Sequence, residues 1–415
     1  MSAVHAAVPP GDPAPSNRWA RALREILVGD WLVGVIAVLL AVLVGSILIA
    51  ATAPEVQQAA GYFFARPGDT VAAIWDAMSS AYANFFQGAV YNFRKPDFAE
   101  GIRPITDTLT YATPLIAAGL GVGLSFRAGL FNIGGQGQMV FGGAMGGWVG
   151  FAAAMPYGIH PAVAVIVGML AGAVWGGIAG VLKAFTGAHE VIVTIMLNYV
   201  AVNFVFWMLS TPGLLQAPGS NNPKSPATAD TAKFLLLLGP DYKLHFGFIL
   251  SILATIAVWW LLERSSIGFR FRALGENQAA ARTAGIDVKR TTILVMAVSG
   301  ALIGLAGVDQ VLGTTTTGFS KGLDSGIGFD AITVALLGRN RSWGILAAGI
   351  LFGAFKAGGY AMQPDVQVDI VTVVQSLIVL FLAAPPLIRA LFGLPAPGAK
   401  RKARRSAAAQ EGVQA

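Results

Sequence analysis

A polar, glycine-interrupted stretch joins two apolar segments of the chain at residues 126–138. It reads F-R-A-G-L-F-N-I-G-G-Q-G-Q and carries three neutral amide side chains, Asn132, Gln136 and Gln138. Glycine interrupts helical geometry, and a broken membrane helix exposes backbone N–H and C=O groups that can bind a polar solute. Amides donate and accept hydrogen bonds, which suits an uncharged, hydroxylated ligand. A polar turn that satisfies its own helix ends would use the same residues, so both interpretations stay open.

A second polar set, Glu190, Thr194 and Asn198, recurs at every fourth position of an apolar segment. This spacing places the three on one helical face, and polar residues within membrane spans usually face the bundle interior. They either line a pathway or hydrogen-bond neighbouring helices. Glu190 starts the segment, where the helix dipole alone favours a carboxylate. Asp330 and Gln375, each at or within an apolar run, are weaker candidates for the same pathway.

The segment 263–290 carries a third signal, between two apolar runs. Residues 276–284 are rich in helix formers, and Gly275 and Gly285 bracket them as helix breaks. A short helix with few bulky side chains can dock into a groove of another protein. The alternative is a simple connecting helix.

The sequence contains no catalytic constellation. It has no phosphate-binding G-x-x-x-x-G-K-[ST] loop, no H-E-x-x-H and no G-x-S-x-G. With no cysteine and four scattered histidines, it offers no thiol chemistry and predicts no metal site. We therefore expect a chain that binds no cofactor and is not an enzyme, so that any ATP and magnesium would be held by a partner.

The composition requires a membrane. Hydrophobic residues make up 55% of the 415 residues and charged residues 12%, against roughly 25% charged in an average soluble domain. We predict an all-α, polytopic bundle of about ten membrane segments, because the apolar runs approach the roughly 20 residues that cross a bilayer. The segments are Trp31–Thr52, Thr108–Phe126, Gln136–Met155, Pro161–Leu182, Glu190–Ser210, Leu244–Leu262, Thr292–Leu312, Phe329–Gly338, Trp343–Met362 and Ile370–Leu391.

Two of these segments need comment. The first follows three arginines, as a signal peptide would, but it is about twice as long as a usual signal core and is interpreted as an uncleaved helix. Phe329–Gly338 is too short to span alone and is expected to be a half-helix or a re-entrant segment within the protein.

Charge gives the orientation and the domain limits. Arginine and lysine collect in the loops that face inward if the N-terminus is inside, so we predict that both termini are cytoplasmic. Residues 1–17 and the basic stretch 395–415 are predicted to be disordered tails, the latter able to touch anionic lipid, on either side of a transmembrane domain at 18–394. The net charge of +7 is explained by this orientation and needs no nucleic acid.

Two further patterns concern helices outside the polar sets. In the outer segment 53–107, apolar residues recur at helical spacing after Asp69 and Thr70, which could serve as an N-cap; an interfacial helix and a helix packed on other helices are both possible. Glycines recur every fourth residue at 168–180 and at 142–150, which predicts close approach of helix backbones.

Four strings in order resemble one family. They are F-R-A-G-L-F-N-I-G-x-x-G-Q, E-V-I-x-T-x-M-L-N-Y, A-L-G-x-N-x-x-A-A-R-x-x-G-I and V-A-L-L-G-R, within residues 109–391. Together they look like bacterial ABC-importer permeases for nucleosides and simple sugars, a group related to ribose and branched-chain amino-acid permeases. The chain departs from the usual pattern at Gly135-Gln136, where Ala-Glu is common, and at His189, where Asn is usual.

The resemblance implies the following partners and roles. A second permease subunit, expected to be non-identical, a cytoplasmic ATPase with two nucleotide-binding domains and a periplasmic or lipid-anchored binding protein would complete the transporter in a bacterial inner membrane. The stretch 132–138 would lie beside the translocation path. The segment 276–286 would be the helix that couples to the ATPase, and the residues expected there are Gly275, Glu276, Asn277, Ala280, Ala281, Arg282, Gly285 and Ile286.

Three other functions compete with this prediction. A branched-chain amino-acid permease would bind a zwitterion, which favours charged contacts over the amides seen here. An ion-coupled secondary transporter would be expected to show inverted halves and buried acidic relays. A membrane-embedded enzyme would need the catalytic groups that the sequence lacks.

Overall fold

The computed structural model of the chain describes residues 30–363 and six positions between 370 and 380. The chain separates into two compact units, residues 1–52 with 369–415 and residues 53–368. In the first unit the described helix is α1, Asp30–Thr52. The candidate functional residues within the described part of the chain all belong to the second unit.

The second unit is built from helices, and its described residues form no strand beyond one isolated bridge between Leu236 and His245. The helices are α2 Pro54–Ala60, α3 Pro67–Ala89, α4 Phe98–Gly101, α5 Arg103–Arg127, α6 Gly135–Ala152, α7 Ile159–Thr186, α8 Glu190–Leu209, α9 Gly247–Arg264, α10 Ser266–Glu276, α11 Gln278–Thr283, α12 Val288–Asp309, α13 Ile327–Leu337 and α14 Ser342–Met362.

The all-α prediction is confirmed, and nine of the ten predicted membrane segments coincide with α1, α5–α9 and α12–α14. The tenth, 370–391, lies largely outside the described residues. By length and composition six described helices could cross a membrane, or seven if Val42–Thr52 and Pro54–Ala60 form one bent span.

Helix α3 occupies the predicted outer segment, but its start differs from the prediction. The N-cap is Arg66 and Pro67 stands in the first turn, where its missing N–H costs nothing. The proposed cap at Asp69 and Thr70 is wrong, since the Thr70 hydroxyl instead donates to the Ala59 carbonyl at 2.9 Å. One face of α3 packs on α14, and the other leaves Trp75 exposed.

Glycines bring α6, α7 and α12 into backbone contact, as their spacing predicts. A Cβ built on Gly142 of α6 would lie 2.5 Å from the Gly304 Cα of α12, and one on Gly176 of α7 would lie 2.5 Å from the Met296 carbonyl oxygen. No side chain fits in such a gap. The close packing fixes the heights of the three helices relative to one another.

Helix α13 is the short segment foreseen in the sequence. Its 11 residues extend only about 16 Å. It begins after Gly326, whose φ of 80° requires the left-handed region that glycine tolerates. Its first turn lies against the first turn of α6, and its end at Gly338 packs on Gly344 of α14.

Candidate functional site

The polar break between α5 and α6, residues 128–134, is fixed by tight turns. Gly129 adopts a φ of 71°, and a Cβ there would lie 3.0 Å from the Gly275 Cα. The Gly134 N–H donates to Asn132 Oδ1 at 2.9 Å, an Asx turn that leads the chain into α6. The break therefore has a defined backbone path.

Two of the predicted amides bond to each other inside the bundle. Asn132 Nδ2 donates to Gln138 Oε1 at 3.0 Å and to Ser299 Oγ at 2.8 Å, and Gln138 Nε2 returns a bond to Asn132 Oδ1 at 3.1 Å. The Ser299 hydroxyl in turn donates to the Gly121 carbonyl at 2.7 Å. Both amides are buried. This cluster joins the break to α5, α6 and α12.

Thr194 and Asn198 bind the other side of the same break. Asn198 Nδ2 donates to the Ile133 carbonyl at 2.9 Å, and Asn198 Oδ1 accepts from the Gly137 N–H at 2.8 Å. The Ile133 N–H donates to Thr194 Oγ1 at 3.3 Å. The structure thus brings Asn132, Gln138, Thr194 and Asn198 together around one irregular segment, with their polar atoms bonded to the protein itself.

Glu190 lies at the edge of this network, where its carbonyl accepts from the Thr194 hydroxyl at 2.8 Å. Its Oε2 accepts from Lys183 Nζ at 2.6 Å, and its side chain is 9% exposed. The pair joins the end of α7 to the start of α8. Lys183 therefore neutralises this carboxylate. The pair is a contact between neighbouring helices, which is one of the roles that the sequence left open beside the pathway and the helix dipole.

Gln136 and Asp330 belong to a second polar group, with two residues that the sequence interpretation missed. Gln136 Nε2 donates to Asp324 Oδ1 at 3.3 Å, and Asp330 Oδ2 lies 2.9 Å from Lys356 Nζ. A signal for Lys356 existed, because it is the one charged residue within the predicted segment Trp343–Met362. Gln375 lies outside the described residues.

A buried histidine lies just before the start of α9. His245 Nδ1 accepts from the Gly247 N–H at 3.2 Å, and its Nε2 lies 3.5 Å from Thr314 Oγ1 in the π-helical turn Gln310–Thr314 that follows α12. Burial lowers the pKa of His245 to about 4. No group of three or more His, Cys, Asp or Glu suited to a metal ion occurs in the part of the chain that the structure describes.

An open pocket of about 490 Å³ lies between α3, α5 and α14. Its charged lining mixes both signs: Arg94, Lys95, Glu100, Arg103, Asp107 and Lys243. Such a surface suits a polar partner better than an apolar one.

The segment between α9 and α12 forms two helices, α10 and α11, and the predicted break at Gly275 is wrong. Gly275 lies within α10, where a Cβ would meet the backbone of residues 127 and 128. The break falls at Asn277, whose side chain accepts from the N–H groups of Ala279 at 2.9 Å and Ala280 at 3.0 Å. The predicted break at Gly285 is confirmed by its φ of 81°.

The predicted coupling residues are largely accessible. Gly275, Glu276, Asn277, Ala280, Arg282 and Gly285 are exposed, Ile286 is half-buried and Ala281 is buried. Beside them lies a groove of about 450 Å³ between α10 and the start of α12, lined by Phe269, Arg270 and Arg290 among others. A short capped helix and an adjoining groove form a rigid surface on which another protein can dock.

Comparison with known proteins identifies the family. A family model described as branched-chain amino acid transport system / permease component matches residues 105–383. Guanosine ABC transporter permease protein NupP of Bacillus subtilis is 39% identical over 292 residues, covering 70% of this chain and 83% of the relative.

Nucleoside ABC transporter permease protein NupB of Lactococcus lactis is 35% identical, covering 70% of this chain and 81% of the relative. Glucose ABC transporter permease protein TsgB13 of Haloferax volcanii is 32% identical, covering 67% of this chain and 75% of the relative. No solved structure matches the chain. The chain therefore belongs to the family of the branched-chain amino acid transport system permease component, and it is a multi-pass permease subunit of an ABC importer.

Proposed function

We propose that this permease imports nucleosides or simple sugars across a bacterial inner membrane, with both of its termini in the cytoplasm. The observation that carries the proposal is its similarity to permeases named for guanosine and for nucleosides, at 39% and 35% identity. The glucose permease follows at 32%, so sugars remain within the substrate class.

A non-identical permease is proposed as the second membrane subunit. Two relatives from Bacillus subtilis, NupP and NupQ, are both named guanosine ABC transporter permease proteins, and they are 39% and 28% identical to this chain. Lactococcus lactis offers a similar pair, at 35% and 27%. A binding protein, periplasmic or lipid-anchored, would deliver solute to the charged pocket between α3, α5 and α14, which the proposed orientation places on the outer side.

Energy is proposed to come from a tandem ATPase that holds ATP and magnesium. Helix α11 and its groove supply the contact: Asn277 fixes the start of α11, and Arg282 presents an exposed cation in its last turn. Gly275 of α10 packs on the backbone of residues 127 and 128, where the polar break begins. A displacement of α10 by the ATPase would therefore be transmitted to the break. The chain itself would hydrolyse nothing.

Within the membrane, the four buried network residues are proposed to hold the wall of the path. Their polar atoms already bond to other protein groups. They would therefore hold the backbone beside the path in place and would not bind the solute themselves. Gln136 and Asp330, which are only half-buried, remain as candidates for contact.

The test is uptake by the complete transporter in proteoliposomes, with ATP enclosed on the ATPase side. Labelled guanosine, ribose, glucose and leucine are supplied in turn with the matching binding protein. Uptake of guanosine or a sugar that requires ATP supports the proposal. Uptake of leucine alone would support the branched-chain amino-acid alternative, and uptake driven by an ion gradient without ATPase would support a secondary transporter.

A further inference from the structure

Two helices of the described bundle, α6 and α13, begin at the same point. A Cβ on Gly135, at the start of α6, would lie 2.6 Å from the Gly328 carbonyl oxygen in the first turn of α13, and one on Gly328 would lie 2.5 Å from the Gln136 Cα. Gly176, next to Gln138, places this point about 15 Å above the inner end of α7. Both positive helix ends are therefore well inside the bundle.

An incompletely bonded carboxylate lies beside the two helix starts. Asp324 is 4% exposed; its Oδ1 accepts the 3.3 Å bond from Gln136, whereas its Oδ2 is buried without a hydrogen-bond partner among the described residues. Buried carboxylate oxygens are almost always bonded, because an unpaired one carries its full cost of desolvation. The free oxygen therefore indicates a partner that the described residues do not supply.

A charged pair completes the group. Lys356 and Asp330 form their 2.9 Å pair while their side chains remain 20% and 32% exposed. Lys356 lies about 20 Å along α14 from its inner end, well within the span. Charged groups at such depth do not face lipid. The open side of the pair therefore faces an aqueous path or a neighbouring subunit.

We propose that Gln136, Asp324, Asp330 and Lys356 form the contact site for the passing solute, a deeper statement that rests on the proposed function. Asp324 Oδ2 accepts a hydrogen bond from a base N–H or a sugar hydroxyl, and the Gln136 amide and Lys356 complete the polar contacts. Two carboxylates and one ammonium give the group a net negative charge. It therefore accepts a neutral, donor-rich solute and rejects a phosphorylated one.

The first test compares Asp324→Asn with Asp230→Asn in the complete transporter. Asp230 is an outer-loop carboxylate paired with Lys233, so its variant makes the same chemical change away from the site. The asparagine side chain has one acceptor oxygen and one NH₂ group, so it cannot accept hydrogen bonds from both Gln136 and the solute. Losing the bond between the solute and a charged group is expected to lower guanosine uptake about tenfold or more. Asp230→Asn is expected to keep uptake, basal ATPase activity and assembly at the wild-type level. Unchanged uptake by Asp324→Asn would overturn the site.

A second test does not depend on how well Asp324→Asn folds. The chain has no cysteine, so Ser325→Cys places a single thiol next to Asp324 on an exposed residue, and Ser79→Cys places one on exposed α3 as a control. Guanosine delivered by the binding protein is expected to slow thiol labelling at 325 but not at 79, and guanosine monophosphate is expected to slow neither. Equal labelling at 325 with and without guanosine would refute the site. A wild-type transporter that moves neither nucleosides nor sugars would instead refute the proposed function.

Discussion

The polar residues around the break are positioned by their bonds to backbone groups. Asn198 illustrates this, because its amide accepts from the Gly137 N–H and donates to the Ile133 carbonyl. Neither backbone group has a helical partner, because Ile133 lies in the irregular segment and Gly137 lies in the first turn of α6. One side chain thus supplies hydrogen bonds that a continuous helix would have made by itself.

We predict that Asn198→Ala destabilises the permease by about 2 kcal/mol, since two buried backbone groups lose their partners. Thermal unfolding of the purified complex measures the effect. The matched control is Asn203→Ala on the same helix, where the lost bond is an exposed one to the Tyr199 carbonyl and the expected change is within about 0.5 kcal/mol. Equal effects of the two variants would show that the network contributes no special stability.

His245 makes stability depend on pH. Its pKa falls from 6.5 to about 4 on folding because burial disfavours the imidazolium. The unfolded chain therefore binds the proton more readily, and this contribution to stability is present above pH 6.5 and is lost as the pH falls from 6.5 towards 4. The full shift corresponds to about 3 kcal/mol.

The measurement is the unfolding temperature of the wild type and of His245→Gln between about pH 7.5 and 5, a range that spans the ordinary histidine pKa. Gln keeps a polar side chain but does not titrate, so its curve is expected to be flatter than that of the wild type. Parallel curves would mean that folding does not lower the pKa of His245.

The sequence singled out most residues of the polar network around the break, but it could not show which of them bond to each other. Asn132, Thr194 and Asn198 stand out because polar residues are rare in apolar segments. Their partners lie up to 167 positions away, as Ser299 does from Asn132, and depend on the heights at which helices pack. Asp324 gave no signal at all, because a carboxylate in a predicted loop is ordinary.

At the scale of elements, glycine spacing was the most informative pattern. It predicted backbone contact for α6 and α7, and both reach α12 through positions without side chains. Helix boundaries were predicted less well, at Pro67 and at Asn277. At the first, Asp69 and Thr70 were expected to cap the helix, but Pro67 occupies its first turn. At the second, Gly275 was expected to break the helix, but Asn277 caps the next one.

Adjacent glycines of α7 offer a matched pair for testing this contact. A Cβ on Gly176 would lie 2.5 Å from the Met296 carbonyl oxygen, whereas one on Gly177 would have its nearest neighbour at 3.9 Å. We predict that Gly176→Ala forces α7 and α12 apart and costs about 2 kcal/mol or more, while Gly177→Ala is neutral or slightly stabilising. Unfolding temperatures of the two variants decide, and similar values would contradict the packing.

Helix α11 depends on its cap. We predict that Asn277→Ala weakens the helix by about 1 kcal/mol and lowers ATP-driven uptake, because the N–H groups of Ala279 and Ala280 lose their acceptor. Asn277→Asp keeps the acceptor and is expected to retain uptake. Normal uptake by Asn277→Ala, or equal loss in both variants, would show that coupling does not depend on this cap.

At the scale of the whole molecule, buried and exposed helices have different roles. Helices α5 and α12 are mostly buried within the described unit, and they meet through Ser299 and Gly121. Helices α7 and α8 are mostly exposed and apolar, which suits contact with lipid or with another subunit. The network of Asn132, Gln138, Thr194 and Asn198 lies where these two kinds of helix meet, and composition alone could not place it there.

A permease built in this way can offer a path but has no visible source of energy, since its sequence holds no nucleotide-binding loop. We therefore predict that the purified chain, reconstituted alone, hydrolyses no ATP and does not concentrate guanosine, with or without an ion gradient. Adding the ATPase, the second permease and the binding protein is expected to restore uptake against a gradient, and leaving out any one of them to abolish it. Labelled guanosine in the vesicle lumen, measured with and without ATP, gives the result. Accumulation by the isolated chain would mean that the energy source lies within this polypeptide, and the division of labour between permease and ATPase would have to be abandoned.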